Sequence, residues 1–80
     1  MEKISEGKWR VNGVLRLDDF RREYPAIGDV PDVETIGGLM MSLLEMVPAP
    51  GDSVVFRGLK LTAKTTDERR VREVFVEAQK

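Results

Sequence analysis

Between Glu34 and Pro48 lies the longest apolar-periodic segment of the chain, Glu34-Thr35-Ile36-Gly37-Gly38-Leu39-Met40-Met41-Ser42-Leu43-Leu44-Glu45-Met46-Val47-Pro48. Ile36, Leu39, Met40, Leu43, Leu44 and Val47 recur at steps of three and four, which places them on one broad stripe of a helix. A stripe of that width has to be buried, and the expected partner is a sheet. Thr35 is the expected N-cap, its hydroxyl accepting from an otherwise unpaired amide, and the Pro48-Ala49-Pro50-Gly51 run is expected to end the helix. Two adjacent glycines in the first turn cost roughly 1 kcal/mol each against alanine. Close approach of the helix backbone to a strand is the simplest compensation.

The segments on either side supply that sheet. Met1 to Gly7 is polar and reads as loose. In Lys8-Trp9-Arg10-Val11-Asn12, Trp9 and Val11 alternate with polar residues, the pattern of a half-buried strand, and Asn12-Gly13 tolerates the positive φ of a turn. A short helix follows: Asp18 and Asp19 open it, Phe20 and Tyr24 lie one turn apart, Arg21 and Arg22 suit its C-terminal dipole, and Pro25 stops it. Ala26 to Val33 reads as a surface loop. After the central helix, Ser53-Val54-Val55-Phe56-Arg57 is a strand, and Leu59, Leu61, Ala63 and Thr65 alternate with Lys60, Thr62 and Lys64 in an antiparallel return. Thr66 to Arg69 is a turn. In the last strand, Val71, Val74 and Val76 break strict alternation once, and a β-bulge near Arg72-Glu73 restores it. The expected fold is α+β: a mainly antiparallel sheet of about four strands with two helices on one face, in the order β-α-α-β-β-β, as a single domain over residues 1–80.

The residues that are missing limit the chemistry. Among 80 residues there is no cysteine and no histidine, which removes disulfides, thiolate nucleophiles, the commonest metal ligand and the usual general base near neutral pH. With a net charge of -1 and 34% charged residues, the surface is of mixed sign, unsuited to a nucleic acid. No apolar run approaches the eighteen or so residues that span a bilayer, so no direct membrane insertion is expected. The reading is of a non-enzyme without cofactor in a reducing, cytoplasmic setting.

The order of motifs is itself recognisable: Val11-Asn12-Gly13, Leu17-Asp18-Asp19-Phe20, Glu34-Thr35-Ile36-Gly37-Gly38-Leu39, Val47-Pro48 and Pro50-Gly51-Asp52, with Arg70-Val71 and Val74-Phe75-Val76 at the end. In this order the chain resembles the transporter-associated domain, also called the CorC/HlyC domain, from about Trp9 to Val76. The resemblance implies the C-terminal module of a larger hemolysin-like or magnesium and cobalt efflux protein, usually placed after a pair of CBS domains. It implies a regulatory, non-catalytic role in ion transport, membrane association through the parent protein, and the CBS domains and a membrane domain of that protein as partners. It supplies no catalytic or ligand residues. The alternative class is a small-ligand domain for flavin or an adenine nucleotide; the fold is similar to a subdomain of flavin-binding oxidoreductases, but likeness of fold alone does not carry flavin across.

Three features carry a sharper reading beside a plainer one. Asp18, Asp19 and Glu23, and separately Asp29, Asp32 and Glu34, offer oxygens to a hard cation, but without ordered loop spacing they read as helix caps and loop solvation, with no metal site. Thr35, Gly37 and Gly38 at a helix start offer amides to an anion, yet packing is the simpler account. Strand alternation, finally, turns Val55, Arg57, Lys60, Thr62, Lys64, Arg72 and Phe75 away from the helices. Val55 and Phe75, on neighbouring strands, are then expected to form the apolar centre of a basic face that docks an acidic surface of the parent protein or a second copy in a homodimer; the plainer reading is a solvated face that happens to hold one phenylalanine.

Overall fold

A computed structural model of the protein describes residues 1–79. In chain order the elements are β1 (Glu2–Ser5), β2 (Lys8–Asn12), α1 (Leu17–Glu23), a 3-10 turn (Pro25–Ile27), α2 (Ile36–Leu44), β3 (Ser53–Phe56), β4 (Leu59–Thr66) and β5 (Val71–Ala78). The strands form one antiparallel sheet ordered β1-β2-β5-β4-β3. Both helices pack on one side of it, and the buried residues of all but the two edge strands join theirs in a single core. The α+β arrangement is thus the one that the periodicity implied, with one strand added.

That added strand is β1, which reads as loose because it has no inside and outside. All four of its residues are exposed. It forms through backbone pairing with β2 and a cross-strand Arg10 to Glu2 ion pair of 2.7 Å, neither of which leaves a trace in hydropathy.

Within α2, the Thr35 hydroxyl accepts from the Gly38 amide at 3.0 Å, as its place before the stripe suggests. The helix stops earlier than the prolines require. Glu45 takes a left-handed conformation with φ 59° and ends it, so Pro48 lies in the following loop and Val47 is off the helix. Ile36, Leu39 and Met40 are fully buried, whereas Leu43 and Leu44 are only partly covered at the rim.

The two helix-start glycines do different things. A Cβ on Gly37 would stand 2.8 Å from the carbonyl oxygen of Gly13 and 3.2 Å from that of Val71. One on Gly13 would overlap the Val71 carbonyl oxygen. Three backbones therefore meet where the turn after β2, the first turn of α2 and the start of β5 cross. Hydrogen bonds close the crossing: the Gly37 amide donates to Gly13 at 2.8 Å and the Gly13 amide to Arg72 at 2.7 Å. Gly38, by contrast, faces its own cap, 3.0 Å from the Thr35 hydroxyl oxygen.

The bulge expected near Arg72 is present and has a counterpart. Ala63 pairs with Val74, Thr65 with Glu73 and Thr66 with Val71, so Lys64 on β4 and Arg72 on β5 are each an extra residue. Val71, Val74 and Val76 consequently all reach the core, while Thr65 is turned out to solvent, contrary to its place in the alternation. β4 also extends to Thr66, one residue into the expected turn. At the other end of the core, the Trp9 ring meets Phe20 edge-on at 5.5 Å and Tyr24 at 6.0 Å, fixing α1 on β2.

Two outcomes follow from this packing. Leu39→Ala is expected to cost about 2 to 5 kcal/mol, a large share of the stability of so small a domain, and an unchanged denaturant midpoint would show that α2 is not the core element. Helix propensity alone makes Gly→Ala favourable by roughly 1 kcal/mol, yet Gly37→Ala is expected to lower the urea midpoint because its methyl meets backbone. A midpoint at or above that of the wild type would show that the crossing yields.

Candidate interaction face

With one side of the sheet under the helices, the other side is open, and β-pleating decides which residues it carries. Opposite residues in an antiparallel ladder share a face. From β1 to β3 the open side therefore runs through Glu2, Lys8 and Arg10, then Glu73, Phe75 and Glu77, then Lys60 and Thr62, and ends at Ser53 and Val55. Phe75 is 37% exposed near the middle, and Val55 is 62% exposed at the β3 edge.

Of the six residues expected to form an interface, five lie on strands of the sheet, and Val55, Lys60 and Phe75 among them face the open side by register. Lys60 sits opposite both Val55 and Glu77. The Lys64 ammonium lies 5.5 Å above the Phe75 ring, a cation–π contact, and 4.0 Å from Glu73. Arg72, the bulged residue, reaches across the β4 to β5 turn to Asp67 at 3.3 Å. Arg57 does not belong to this face. It occupies the β3 to β4 turn with φ 50°, and its guanidinium donates to the carbonyls of Ile27 at 2.8 Å and Asp29 at 2.7 Å, tying down the loop after α1. Alternation fails there because Arg57 is already in the turn. Val55 and Phe75 also stand further apart than expected, with β4 between their strands.

The face is not the basic surface that those residues suggested. Lys8 pairs with Glu77 at 3.0 Å, Arg10 with Glu2 at 2.7 Å and more distantly with Glu73 at 3.9 Å. Acids and bases alternate along neighbouring strands, so most of the field is cancelled locally. The Glu77 carboxyl is held below its usual range by the hydrogen bond from Lys8, then that from Gln79, then the Lys8 and Lys60 charges. Asp67, at the end of the sheet, is lowered by the amides of Arg69 and Arg70, both 2.8 Å from one carboxylate oxygen, and by Arg72. Lys60 makes no ion pair among the described residues. It borders a shallow groove of about 240 Å³ whose walls are Ile4, Lys8, Thr62, Phe75 and Glu77.

Two of the acidic residues near the helices are tied into the structure. Asp18 bonds Arg21 at 2.9 Å, and Asp29 lies 3.5 Å from the same guanidinium, whose Nε donates to the Gly28 carbonyl. None of the six carboxylates caps a helix through its side chain; the N-cap of α1 is Arg16, which makes no side-chain cap, and Asp18 and Asp19 lie inside the first turn. Among the described residues, no three acidic side chains converge as a metal site would require. At the start of α2, the amides of Ile36, Gly37, Gly38 and Leu39 all donate within the protein. An anion there would have to displace those bonds.

Ile4, Lys8, Arg10, Glu73 and Glu77 escaped the sequence reading of the face. The polar positions of β2 were visible in its alternation, but which strand lies beside it was not. No helix among the described residues is long and apolar enough to cross a membrane.

Comparison with known proteins gives this arrangement a context. The family model described as transporter associated domain, CorC_HlyC, matches residues 2–80. The chain is 37% identical over 76 residues to a polyamine export protein of Salmonella typhimurium, covering 89% of this chain and 16% of that protein. It is 28% identical over 74 residues to the magnesium and cobalt efflux protein CorC of Escherichia coli, covering 92% and 25%. The chain thus spans only 16% and 25% of the length of these relatives. Among solved structures, a CorC-associated region from Neisseria meningitidis superimposes with a TM-score of 0.88 at 25% identity, covering 96% of this chain and 95% of that one.

The lowered Glu77 sets a direction for pH. A carboxyl depressed in the folded state contributes stability above its unfolded pKa, and that contribution fades as pH falls through the folded value. Removing the Lys8 ammonium in Lys8→Met is expected to raise the Glu77 midpoint toward 4.5, measured by carboxyl-carbon NMR titration. An unmoved midpoint would show that the ion pair does not persist in solution.

Proposed function

This chain belongs to the CorC_HlyC transporter associated domain family, and from that membership we propose that it is a non-catalytic accessory domain modulating ion transport by a larger, membrane-linked protein. In this reading it is the C-terminal module of a parent chain that carries CBS domains, held on the cytoplasmic side. The observation that carries the proposal is the family match across residues 2–80, set against relatives in which the matching region is a small fraction of the whole. The relatives' names also differ in cargo, polyamine in one and magnesium and cobalt in the other. A module common to both is suited to transmitting or restraining movement, and not to choosing the ion.

The open face of the sheet is the proposed contact with the rest of the parent protein. Its apolar groove beside Phe75 supplies an anchor, and its paired charges supply a rim that excludes poorly matched partners. Phe75→Glu is expected to leave the circular dichroism and melting of the isolated domain nearly unchanged. In the full-length protein it should alter cation efflux and weaken the contact between this domain and its neighbours. Unaltered efflux with a folded mutant would remove the face from consideration.

A ligand-binding role makes the opposite demand on the isolated chain. Only a ligand that prefers the folded state raises its melting temperature by mass action. Millimolar magnesium, cobalt, flavin mononucleotide or adenosine triphosphate is expected to produce no saturable shift. A saturable rise of several degrees with any of them would overturn the accessory reading in favour of direct sensing.

A further inference from the structure

The two edges of the sheet are built differently. β1, at one edge, has the sequence Glu2-Lys3-Ile4-Ser5, with charged side chains and a register break between Lys3 and Ser5. Charges and bulges on an edge strand are the ordinary defences against another strand pairing with it. β3, at the other edge, has none. Ser53-Val54-Val55-Phe56 carries no charge, no proline and no register break, and Val55 is 62% exposed.

The geometry of the β3 to β4 turn fixes which backbone groups face outward. Arg57 and Gly58 both have positive φ, 50° and 82°, as a two-residue hairpin turn requires, and the turn closes on the Phe56 and Leu59 pair. Bonded and non-bonded pairs alternate along an antiparallel ladder. Phe56 and Val54 therefore bond to β4, while the amides and carbonyls of Ser53 and Val55 point away from the sheet. Among the described residues, no hydrogen bond reaches them from any other element.

We propose that β3 is a self-pairing edge, on which a second copy of this chain adds its own β3 antiparallel about a two-fold axis. The strand is flanked by Asp52 at its start and Arg57 at its end. Two-fold antiparallel pairing sets the acidic end of one copy beside the basic end of the other, whereas parallel addition sets like beside like. The outward groups fix the register as well. Using Ser53 and Val55 of both copies places Val54 opposite the second copy's Val54, with Ser53 opposite the second copy's Val55, each such pair exchanging both of its bonds. A shift by two residues in either direction draws in Gly51 or Arg57, which lie in turns. In this register the half-covered Val54 and Phe56 gain cover on the helix side, and Val55 does so on the open side. The surface is separate from the Phe75 groove, so the assembly and the docking proposed above stand or fall independently.

The absence of cysteine makes the register directly testable. Val54 is the non-hydrogen-bonded pair at the axis, where Cα atoms lie about 4.5 Å apart, within the span of a disulfide. Under mild oxidation, Val54→Cys is expected to form a covalent dimer roughly tenfold faster than the exposed control Thr65→Cys, since pairing raises the effective thiol concentration. Val55→Pro removes only an outward amide, so the monomer should stay folded by circular dichroism. It should abolish both that rate advantage in the double variant and the self-association of the wild type in sedimentation at millimolar concentration. Equal rates for the two thiols, or sedimentation that Val55→Pro leaves unchanged, overturns the proposal. A wild type that is monomeric throughout also overturns it, and leaves the edge to an extended segment of a different protein.

Discussion

The rest of the domain depends on the place where three backbones touch. Gly13, Gly37 and Val71 approach so closely that a Cβ at either glycine would strike a carbonyl oxygen. In a domain this small there is little core to spare, and the closest way to seat a helix on a sheet is backbone against backbone. The crossing joins the turn after β2, the start of α2 and the start of β5, elements far apart in the chain. Once it is made, the stripe of α2 is aimed at β5 and β2, and the isolated bridge between Arg16 and Thr35 draws the entries of the two helices together. The helical cost of glycine at position 37 is thereby offset by the hydrogen bond that its amide donates to the Gly13 carbonyl at 2.8 Å and by packing that no larger residue permits.

A second layer of organisation concerns what the domain leaves uncovered. On the helix side, Arg21 gathers Asp18 and Asp29, Arg57 holds the Ile27 and Asp29 carbonyls, and the amides at the start of α2 are satisfied within the protein. On the open side, charges are paired across strands and a single aromatic ring lies among them. Exposed ion pairs of this kind add little stability, with a typical magnitude of about 0.2 to 1 kcal/mol. Their effect is on who can approach. A surface that cancels its own field offers little to steer a polyanion, and fits a preorganised neighbour that matches both groove and rim.

Much of the fold was legible because burial leaves a period in the sequence. The α2 stripe, the Thr35 cap, the alternation in β2 and β4, and even the bulge at Arg72 follow from which residues must reach one core. The ends of elements were less legible. Glu45 turns the chain out of the helix before Pro48 can, and Arg57 adopts the turn conformation that its neighbour Gly58 also takes, so neither has a distinctive signal. β1 was invisible for a related reason, since a strand with every residue exposed has no hydropathic period to display.

The candidate face was half legible. That Lys60, Phe75 and Val55 point away from the helices follows from pleating alone, a local property that repeats every two residues. That Glu77 and Glu73 stand beside Lys8 and Arg10, and that β4 separates Val55 from Phe75, does not. These facts depend on β2 inserting next to β5, which places the first and last parts of the chain in contact. The sequence by itself therefore determined the two helices and the strands other than β1, their buried sides and the family resemblance, because each is written in short-range spacing. Only the tertiary structure decided the charge balance of the open face and the bareness of the β3 edge, because strand order is settled by the global packing of non-adjacent segments around the glycine crossing.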